Sequence, residues 1–262
     1  MCGAGCGDAS ALRHTRAGIA RLHVTAPLVA GAEFNLPDGA ARHVQVLRLQ
    51  PGAALTLFDG SGAEWPADVV QMTRQTVVVR TGARREVDRE LALNVTLALG
   101  VPTNERMDAI VEKATELGVA AIQPLLCERS VLRLAGERAD KRREHWQAVA
   151  IAACEQSGRN KVPLIEPIRP LAAWLASLGA RPPHEARWLL STSETMPLHS
   201  RADHDAAMTG VLALSGPEGG LSPAEEDSAR GRAFESISLG PRVLRADTAP
   251  LALLAYLGLN AR

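Results

Sequence analysis

The chain has 262 residues, 46% of them apolar, which is enough for one large domain or two smaller ones with a sizeable core. Its 29 basic and 29 acidic residues give a formal net charge of zero. Because a phosphate-binding surface usually leaves a basic excess, this balance argues mildly against nucleic-acid binding. Any such binding must use local patches, although a solvated face is the commoner meaning of a basic run. The candidate patches are Arg74, Arg80, Arg84, Arg85 and Arg89, and Arg138, Lys141, Arg142 and Arg143.

The four cysteines are too few and too scattered for a disulfide framework. Cys2 and Cys6 have no second pair of ligands with zinc-site spacing, so we expect no metal. No apolar run reaches membrane-spanning length, and the first residues lack the apolar stretch of a signal peptide. These features predict a cytoplasmic location.

Two segments form the N-terminal part of the chain. Residues 1–18 are small, polar and aperiodic, which predicts a disordered leader. Residues 19–85 contain short apolar runs divided by turn signals such as Pro37-Asp38-Gly39, which predicts a small β-barrel or sandwich. The predicted strands are LHVTAPLV, FNLP, HVQVLRL, ALTLFDG, PADVV and TVVVR.

After the charged stretch GARREVDRE, which we interpret as a linker, strands and helices alternate through residues 90–262. Helical spacing from Met107 to Leu117 precedes a capping Gly118, and Ser222 opens a capping box. The alternation predicts an α/β domain with a mostly parallel sheet. The predicted strands are LALNVTLALG, AAIQPLL, RWLLST, VLALSG and ESISLG, and further helices surround Trp146 and form LALLAYLGL.

Three loops follow the last three predicted strands: residues 191–194, 216–220 and 240–245. In an open α/β sheet, ligands bind beyond the carboxyl ends of the strands, and glycine lets the backbone approach a ligand closely. The Gly-Pro pairs could equally be two ordinary turns. The chain has no dinucleotide fingerprint, P-loop, zinc-protease motif or nucleophile elbow, so chemistry here would use a group carried by a cofactor.

Longer blocks of the sequence resemble the ribosomal RNA uracil-N3 methyltransferases, a family of the SPOUT class. The C-terminal blocks are LSGPEGGLSPAEE and SLGPRVLRADTAPLALL. Three blocks upstream of these also resemble the family and occur in the family's order. In chain order they are RHVQVLRLQPG, ERMDAIVEKATELGVAAIQPLLCERSV and HWQAVAIAACEQSGRNKVPLI. The match covers nearly everything from Ile19 onward. Here Asp247 stands where the family signature usually has Glu, which shortens the reach of the carboxylate by one methylene.

The resemblance implies a PUA-like RNA-binding barrel followed by a SPOUT domain with a trefoil knot. It also implies a homodimer, S-adenosyl-L-methionine as cofactor, and 16S ribosomal RNA within the 30S subunit as substrate. Two alternatives stay open: a SPOUT enzyme acting on tRNA or a ribose hydroxyl, and a non-catalytic ribosome-assembly factor.

The resemblance and the loops together supply the candidate residues. Glu218, Arg245 and Asp247 are the catalytic candidates, although Glu218 could be a turn residue and Asp247 a helix N-cap. The cofactor candidates are Ser191, Leu214, Ser215, Gly216, Glu218, Gly219, Gly220, Leu239, Gly240, Val243 and Leu244. The RNA-binding candidates are His43, Arg48, Arg84, Arg85 and Arg159.

Overall fold

A computed structural model of the protein describes residues 19–25, 27–192, 196–198 and 208–260. The chain divides into two compact units. The first ends at Arg89 and also contains Gly158–Lys161, and the second comprises Glu90–Ser157 and Val162–Arg262. The predicted leader, residues 1–18, lies outside the described residues.

The first unit is built on a six-stranded sheet of order β1-β3-β4-β5-β2, with β6 paired to β4. β1 and β3 are parallel, and the other pairs are antiparallel. Leu22, Leu57 and Val79 are fully buried in its core. Five of the six predicted strands are therefore confirmed. The strands are β1 (Ala20–His23), β2 (Glu33–Asn35), β3 (Ala54–Phe58), β4 (Ala63–Met72), β5 (Val77–Thr81) and β6 (Arg85–Glu86).

The predicted strand HVQVLRL and the predicted turn before it were wrong, because helix α1 (Asp38–Val46) occupies this region. Ala40, Ala41 and Val44 are buried at helical spacing, and Asp38 supplies a negative charge in the first turn. The helix ends in a Schellman motif, in which Arg48 takes the left-handed position usually held by glycine, with φ of 54°. The alternation of apolar residues had hidden this helical spacing.

The second unit is built on an eight-stranded sheet, in which every pairing between described strands is parallel. Its order is β10-β8-β7-β13-β11-β14-β12, with β9 paired to β8. This confirms the predicted parallel α/β sheet. The strands are β7 (Asn94–Gly100), β8 (Ala121–Leu126), β9 (Leu164–Ile165), β10 (Arg169–Pro170), β11 (Glu185–Leu190), β12 (Met196–Pro197), β13 (Gly210–Ser215) and β14 (Glu235–Ser238).

Within the described residues five helices accompany this sheet, and the end of α2 and the start of α5 follow the sequence signals. Gly118 follows the end of α2 with φ of +92°, and Ser222 and Glu225 form the complete capping box of α5. None of the helices in the described residues is long and apolar enough to cross a membrane. The helices are α2 (Asn104–Glu116), α3 (Glu137–Ser157), α4 (Leu171–Ser177), α5 (Pro223–Arg230) and α6 (Thr248–Asn260).

Strand β7 shows that the sheet is covered on both faces. Val95, Leu97 and Leu99 belong to one core cluster, which also contains Trp146, whereas Ala98 belongs to a second cluster on the opposite face. Successive side chains of a strand point to opposite faces, so a strand covered on both sides carries buried apolar residues on both faces. The strand order also requires β13 to insert between β7 and β11 before the chain returns to β14. The trefoil knot stays a prediction.

Most of the segment between β11 and β13, where a helix was expected, lies outside the described residues. The stretch GARREVDRE, expected to be a linker, instead belongs largely to the first unit, because β6 pairs with β4 and Arg89 is anchored there.

A buried ionic cluster around Glu64 ties this anchor to the first unit. One oxygen of Glu64 accepts hydrogen bonds from Arg21 at 2.9 Å, Arg89 at 3.0 Å and Asn160 at 3.4 Å. Burial disfavours the ionised form of Glu64, but hydrogen bonds and charge from Arg89 and Arg21 outweigh it and lower the pKa of the carboxyl. Arg89 also donates to the carbonyl of Gly158 at 3.0 Å, so the cluster holds the returning segment Gly158–Lys161.

We expect Glu64→Gln to lower the free energy of unfolding of the first unit by about 3 kcal/mol, because two arginines lose the charge that compensates their burial. Since the pKa of Glu64 is lowered on folding, its stabilisation is present at neutral pH and is lost as pH falls below about 4. Urea unfolding of the unaltered protein and of Glu64→Gln, at pH 7 and at pH 3, measures how much stability the carboxylate contributes at each pH. Glu33→Gln, which removes the exposed ion pair with Arg80, is the control and should cost under about 0.5 kcal/mol. Equal stabilities of the two variants would contradict the prediction.

Candidate functional site

One edge of the second sheet gathers the loops that follow its strands, because the carboxyl ends of parallel strands point the same way. Loops after β11, β13 and β14 line a pocket of about 580 Å³, together with Arg129 after β8 and Arg106 of α2. All three glycine- or serine-bearing loops chosen from the sequence therefore contribute residues to one pocket.

The loop Gly216–Gly220 is called the glycine loop below. It makes a tight turn, in which the amide of Gly220 donates to the carbonyl of Pro217 at 2.8 Å and Gly220 has φ of +68°. A Cβ placed on Gly216 would lie 2.8 Å from the backbone of Gly220 and Leu221. Glycine is therefore needed at both ends of the turn, for space at Gly216 and for backbone conformation at Gly220.

The loop after β14 forms a second backbone wall of the pocket. Gly240 has φ of +114°, and the hydroxyl of Ser238 lies 3.2 Å from its amide and 3.0 Å from its carbonyl oxygen. Val243 is 81% exposed, whereas Leu244 is partly buried. The pocket thus combines backbone polar groups with apolar side chains, a combination suited to a small organic ligand.

The carboxylate of Glu218 is fastened to the start of α2. Its Oε1 accepts from the amide of Thr103 at 3.1 Å, the hydroxyl of Thr103 at 3.2 Å and the guanidinium of Arg106 at 3.3 Å. Partial burial acts to raise the pKa of Glu218, but backbone amides, the Thr103 hydroxyl and the Arg106 charge together lower it. A carboxylate held in this way is a weaker base than an ordinary glutamate.

Arg129 holds the other side of the glycine loop. Its Nη1 donates to the carbonyl oxygens of Gly219 at 3.0 Å and Leu221 at 3.1 Å. The neighbouring amide of Glu128 donates to Glu225 of the α5 capping box at 2.7 Å. The segment after β8 is thereby joined to both the glycine loop and the start of α5.

Two further arginines line the pocket, and their guanidinium groups are exposed to solvent. Arg242 and Arg245 are exposed, and neither guanidinium forms an ion pair within the part of the chain that the structure describes. Arg245 and Asp247 form no ion pair with each other among these residues. Asp247 instead accepts a hydrogen bond from the hydroxyl of Thr248 at 3.1 Å.

Most of the predicted cofactor and catalytic residues meet in this pocket. Leu214 does not line it, because that side chain is fully buried in the core on one face of the sheet. Asp247 is not a lining residue either, although Arg245, Ala246 and Ala249 on either side of it are. The predicted residues that line the pocket are Ser191, Ser215, Gly216, Glu218, Gly219, Gly220, Leu239, Gly240, Val243, Leu244 and Arg245.

Sequence reasoning missed Arg106, Arg129 and Glu226, which also line the pocket. Arg129 follows strand β8 directly, so the rule that sites form beyond strand ends could have found it. Arg106 and Glu226 lie on helices, and only the tertiary structure brings those helices to this edge. Glu226 receives a hydrogen bond from the hydroxyl of Ser191 at 3.2 Å.

The five predicted RNA-binding residues all belong to the first unit. His43 is partly buried on α1, and Arg48 and Arg85 are exposed. Arg84 pairs with Glu86 and lies over the ring of Trp65, with 5.7 Å between its guanidinium and the ring centroid. Arg159 is only 4% exposed, so burial removes it from the surface that RNA could contact.

Cys127 lies buried beside the pocket loops. Burial, and to a lesser degree the charge of Glu225, raises the pKa of its thiol to about 12. Such a thiol stays protonated at neutral pH, which makes it a poor nucleophile. Within the described residues, no group of three or more His, Cys, Asp or Glu side chains could hold a metal ion.

Each of the two units matches a known family of protein domains. Residues 89–258 match a family model described as an RNA methyltransferase domain, and residues 36–81 match an RNA methyltransferase PUA domain. The chain is 30% identical over 239 residues to ribosomal RNA small subunit methyltransferase E of Synechocystis sp., covering 90% of this chain and 76% of that protein. It is 29% identical over 229 residues to the Bacillus subtilis protein of the same name, covering 85% and 88%.

A solved structure shows the same likeness in three dimensions. The crystal structure of a ribosomal RNA small subunit methyltransferase E from Neisseria gonorrhoeae, bound to S-adenosyl methionine, matches with a TM-score of 0.85 and 36% sequence identity. The match covers 92% of this chain and 97% of that one.

We expect Gly100→Ala to destabilise the second unit by about 2 kcal/mol through overpacking. A Cβ at Gly100 would lie 2.4 Å from Cδ and 2.5 Å from the nitrogen of Pro217, so the glycine loop would have to move. Gly179→Ala is the matched control, because a Cβ there meets nothing within 4 Å. Urea unfolding of the two variants checks the prediction. Equal unfolding midpoints would show that the glycine loop can move away from the added methyl group without loss of stability.

Proposed function

Because the chain belongs to the ribosomal RNA small subunit methyltransferase E family of RNA methyltransferases, we propose that it methylates N3 of a specific uridine in 16S ribosomal RNA. S-adenosyl-L-methionine is the methyl donor. The observation that carries this proposal is the backbone-walled pocket at the carboxyl edge of the parallel sheet, in a fold whose relative of TM-score 0.85 binds that molecule.

The pocket has the features that this cofactor requires. Gly216 leaves a space that a Cβ would fill, and backbone at the glycine loop can approach a ligand closely. Leu190, Leu239 and Leu244 offer apolar contact, and Ser191 and Glu226 offer polar groups. We propose that the predicted cofactor residues lining this pocket hold S-adenosyl-L-methionine, with Leu214 supporting them from the core.

When bound, S-adenosyl-L-methionine supplies an electrophilic methyl group on a sulfonium. The chain must hold N3 of uracil in line, stabilise charge on the uracil carbonyl oxygens and accept the imide proton. Arg245 is suited to the charge because its guanidinium lies at the pocket without an ion pair to another described residue. Asp247, beside the lining residues Arg245 and Ala246, is the better candidate than Glu218 for taking the proton through water, because Glu218 is held by Thr103 and Arg106.

The first unit supplies the RNA-binding surface in this proposal. Arg48 and Arg85 are exposed there, and the strained left-handed backbone of Arg48 fixes the direction of the chain at the end of α1. His43 on the same helix and Arg84, which lies beside Trp65 and pairs with Glu86, are the further candidates in this unit. A chain of zero net charge must place its phosphate contacts locally in this way.

We further propose a cytoplasmic homodimer that acts on the 30S subunit. Helix α6 is apolar nearly throughout: Leu253, Leu254 and Leu257 are buried, and Leu259 is 87% exposed. Leu259, with the partly buried Leu251 and Tyr256, leaves apolar side chains accessible on this helix, and such side chains favour association between copies of one chain.

The function is tested by incubating the protein with 30S subunits from a strain that lacks the modification and with labelled S-adenosyl-L-methionine. We expect the label in 3-methyluridine after digestion of the 16S RNA to nucleosides. Arg245→Ala should reduce the rate about 100-fold, with the affinity for the cofactor unchanged. Label in a ribose-methylated nucleoside, or label in tRNA when tRNA replaces the 30S subunits, would identify the other RNA specificity. Cofactor binding without transfer to any RNA would identify an assembly factor.

Gly219→Val should weaken binding of S-adenosyl-L-methionine at least about tenfold while the protein stays folded. The reason is space rather than backbone conformation, because a Cβ at Gly219 lies 3.1 Å from Cβ of Arg129 and 3.5 Å from its carbonyl oxygen. The branched side chain therefore pushes the glycine loop away from Arg129. Calorimetric titration measures the affinity, with Gly179→Ala as the control. Unchanged affinity would remove the glycine loop from the cofactor site.

A further inference from the structure

We propose that Thr103, Arg106 and Arg129 are positioning residues that brace the glycine loop from two sides and hold it ready for the cofactor. This inference rests on the proposed function for the identity of the ligand. Its structural part concerns only the ligand-free loop and can be judged separately.

The first side of the brace runs from Glu218 to the start of α2. Thr103 is the N-cap residue of α2, yet its hydroxyl makes no capping bond to its own helix. That hydroxyl and the Thr103 amide both donate to Oε1 of Glu218, at 3.2 Å and 3.1 Å, and Arg106 one turn into the helix adds a third donor. The positive end of the helix dipole also favours a carboxylate here. The middle of the glycine loop is thereby fixed to the loop after β7.

The second side runs from Arg129 to the carbonyls that flank Gly220. A single guanidinium nitrogen reaches the carbonyl oxygens of both Gly219 and Leu221. Between them lies Gly220, the residue with the left-handed backbone. Arg129 thus fixes the carbonyl groups of the residues directly before and directly after Gly220. The planar guanidinium is suited to this because its donors are held in a fixed direction.

A brace is needed because three of the five residues of the glycine loop are glycines. Glycine loses more conformational freedom on ordering than any other residue, so an unbraced loop would lose that entropy when it binds the ligand. A loop ordered beforehand binds more tightly without any new contact to the ligand. The three residues therefore affect affinity through the loop rather than through the reacting atoms.

The ligand-free test is amide hydrogen exchange of the peptide covering residues 216–221. We expect exchange to quicken about tenfold in Arg129→Ala and in Arg106→Gln, and to recover in part in Arg129→Lys. Glu137→Gln, which removes an exposed charge from α3, is the control and should leave the rate unchanged. Unchanged exchange in both brace variants would overturn the proposal, whatever the protein binds.

The ligand test separates positioning from chemistry. Arg129→Ala and Arg106→Gln should each raise the Kd for S-adenosyl-L-methionine about tenfold and leave kcat at saturating cofactor within about twofold. The double variant Glu218→Gln/Arg106→Gln should raise the Kd no more than the single variant with the larger effect, because both changes remove the same contact. A large fall in kcat with unchanged Kd for Glu218→Gln would make it a general base and overturn the first side of the brace. If the unaltered protein neither binds the cofactor nor methylates RNA, the proposed function fails, and hydrogen exchange still decides whether the brace exists.

Discussion

The parallel pairing of β7, β13, β11 and β14 is the constraint on which the site depends. Parallel strands need connections that cross a face of the sheet, so both faces become covered, and β7, β13 and β11 carry buried apolar residues on both faces. The same pairing places every carboxyl end at one edge. Loops far apart in the chain, such as residues 101–103 and the glycine loop, become neighbours there. The pocket is a direct consequence of strand direction.

At that edge the protein uses its arginines in two ways. Arg106 and Arg129 are hydrogen-bonded to the glycine loop, whereas Arg242 and Arg245 are free of ion pairs among the described residues. The first pair can order the backbone, and the second pair can meet the negative charge of RNA or of the uracil oxygens. A chain with zero net charge thus still concentrates positive charge at its site.

The first unit depends on a different interaction, the buried carboxylate of Glu64. It compensates Arg21 and Arg89 and also reaches Asn160, a residue that follows the long helix α3. The chain therefore enters this unit twice, once at its N-terminal part and once at Gly158–Lys161. A buried charge left without its partners is costly, so the cluster makes the return of the chain specific.

The sequence by itself determined the parallel α/β domain, the capping box at Ser222 and most of the pocket. Apolar runs, glycine positions and caps are local signals, and the likeness to a methyltransferase family added the cofactor and the substrate. The sequence failed at α1, where apolar residues at positions 44, 46 and 47 fit both a strand and a helix. Only packing of Ala40, Ala41 and Val44 on the sheet selected the helix.

Only the tertiary structure decided what the individual polar side chains do. Glu218 looked like a possible base in the sequence, yet the start of α2 lies against it and lowers its pKa. Arg159 looked like an RNA contact and is buried, and Arg129 received no role at all. Hydrogen bonds between residues about a hundred positions apart depend on how the strands are ordered in the sheet. No local pattern carries that information, because the partners become neighbours only when the sheet has formed.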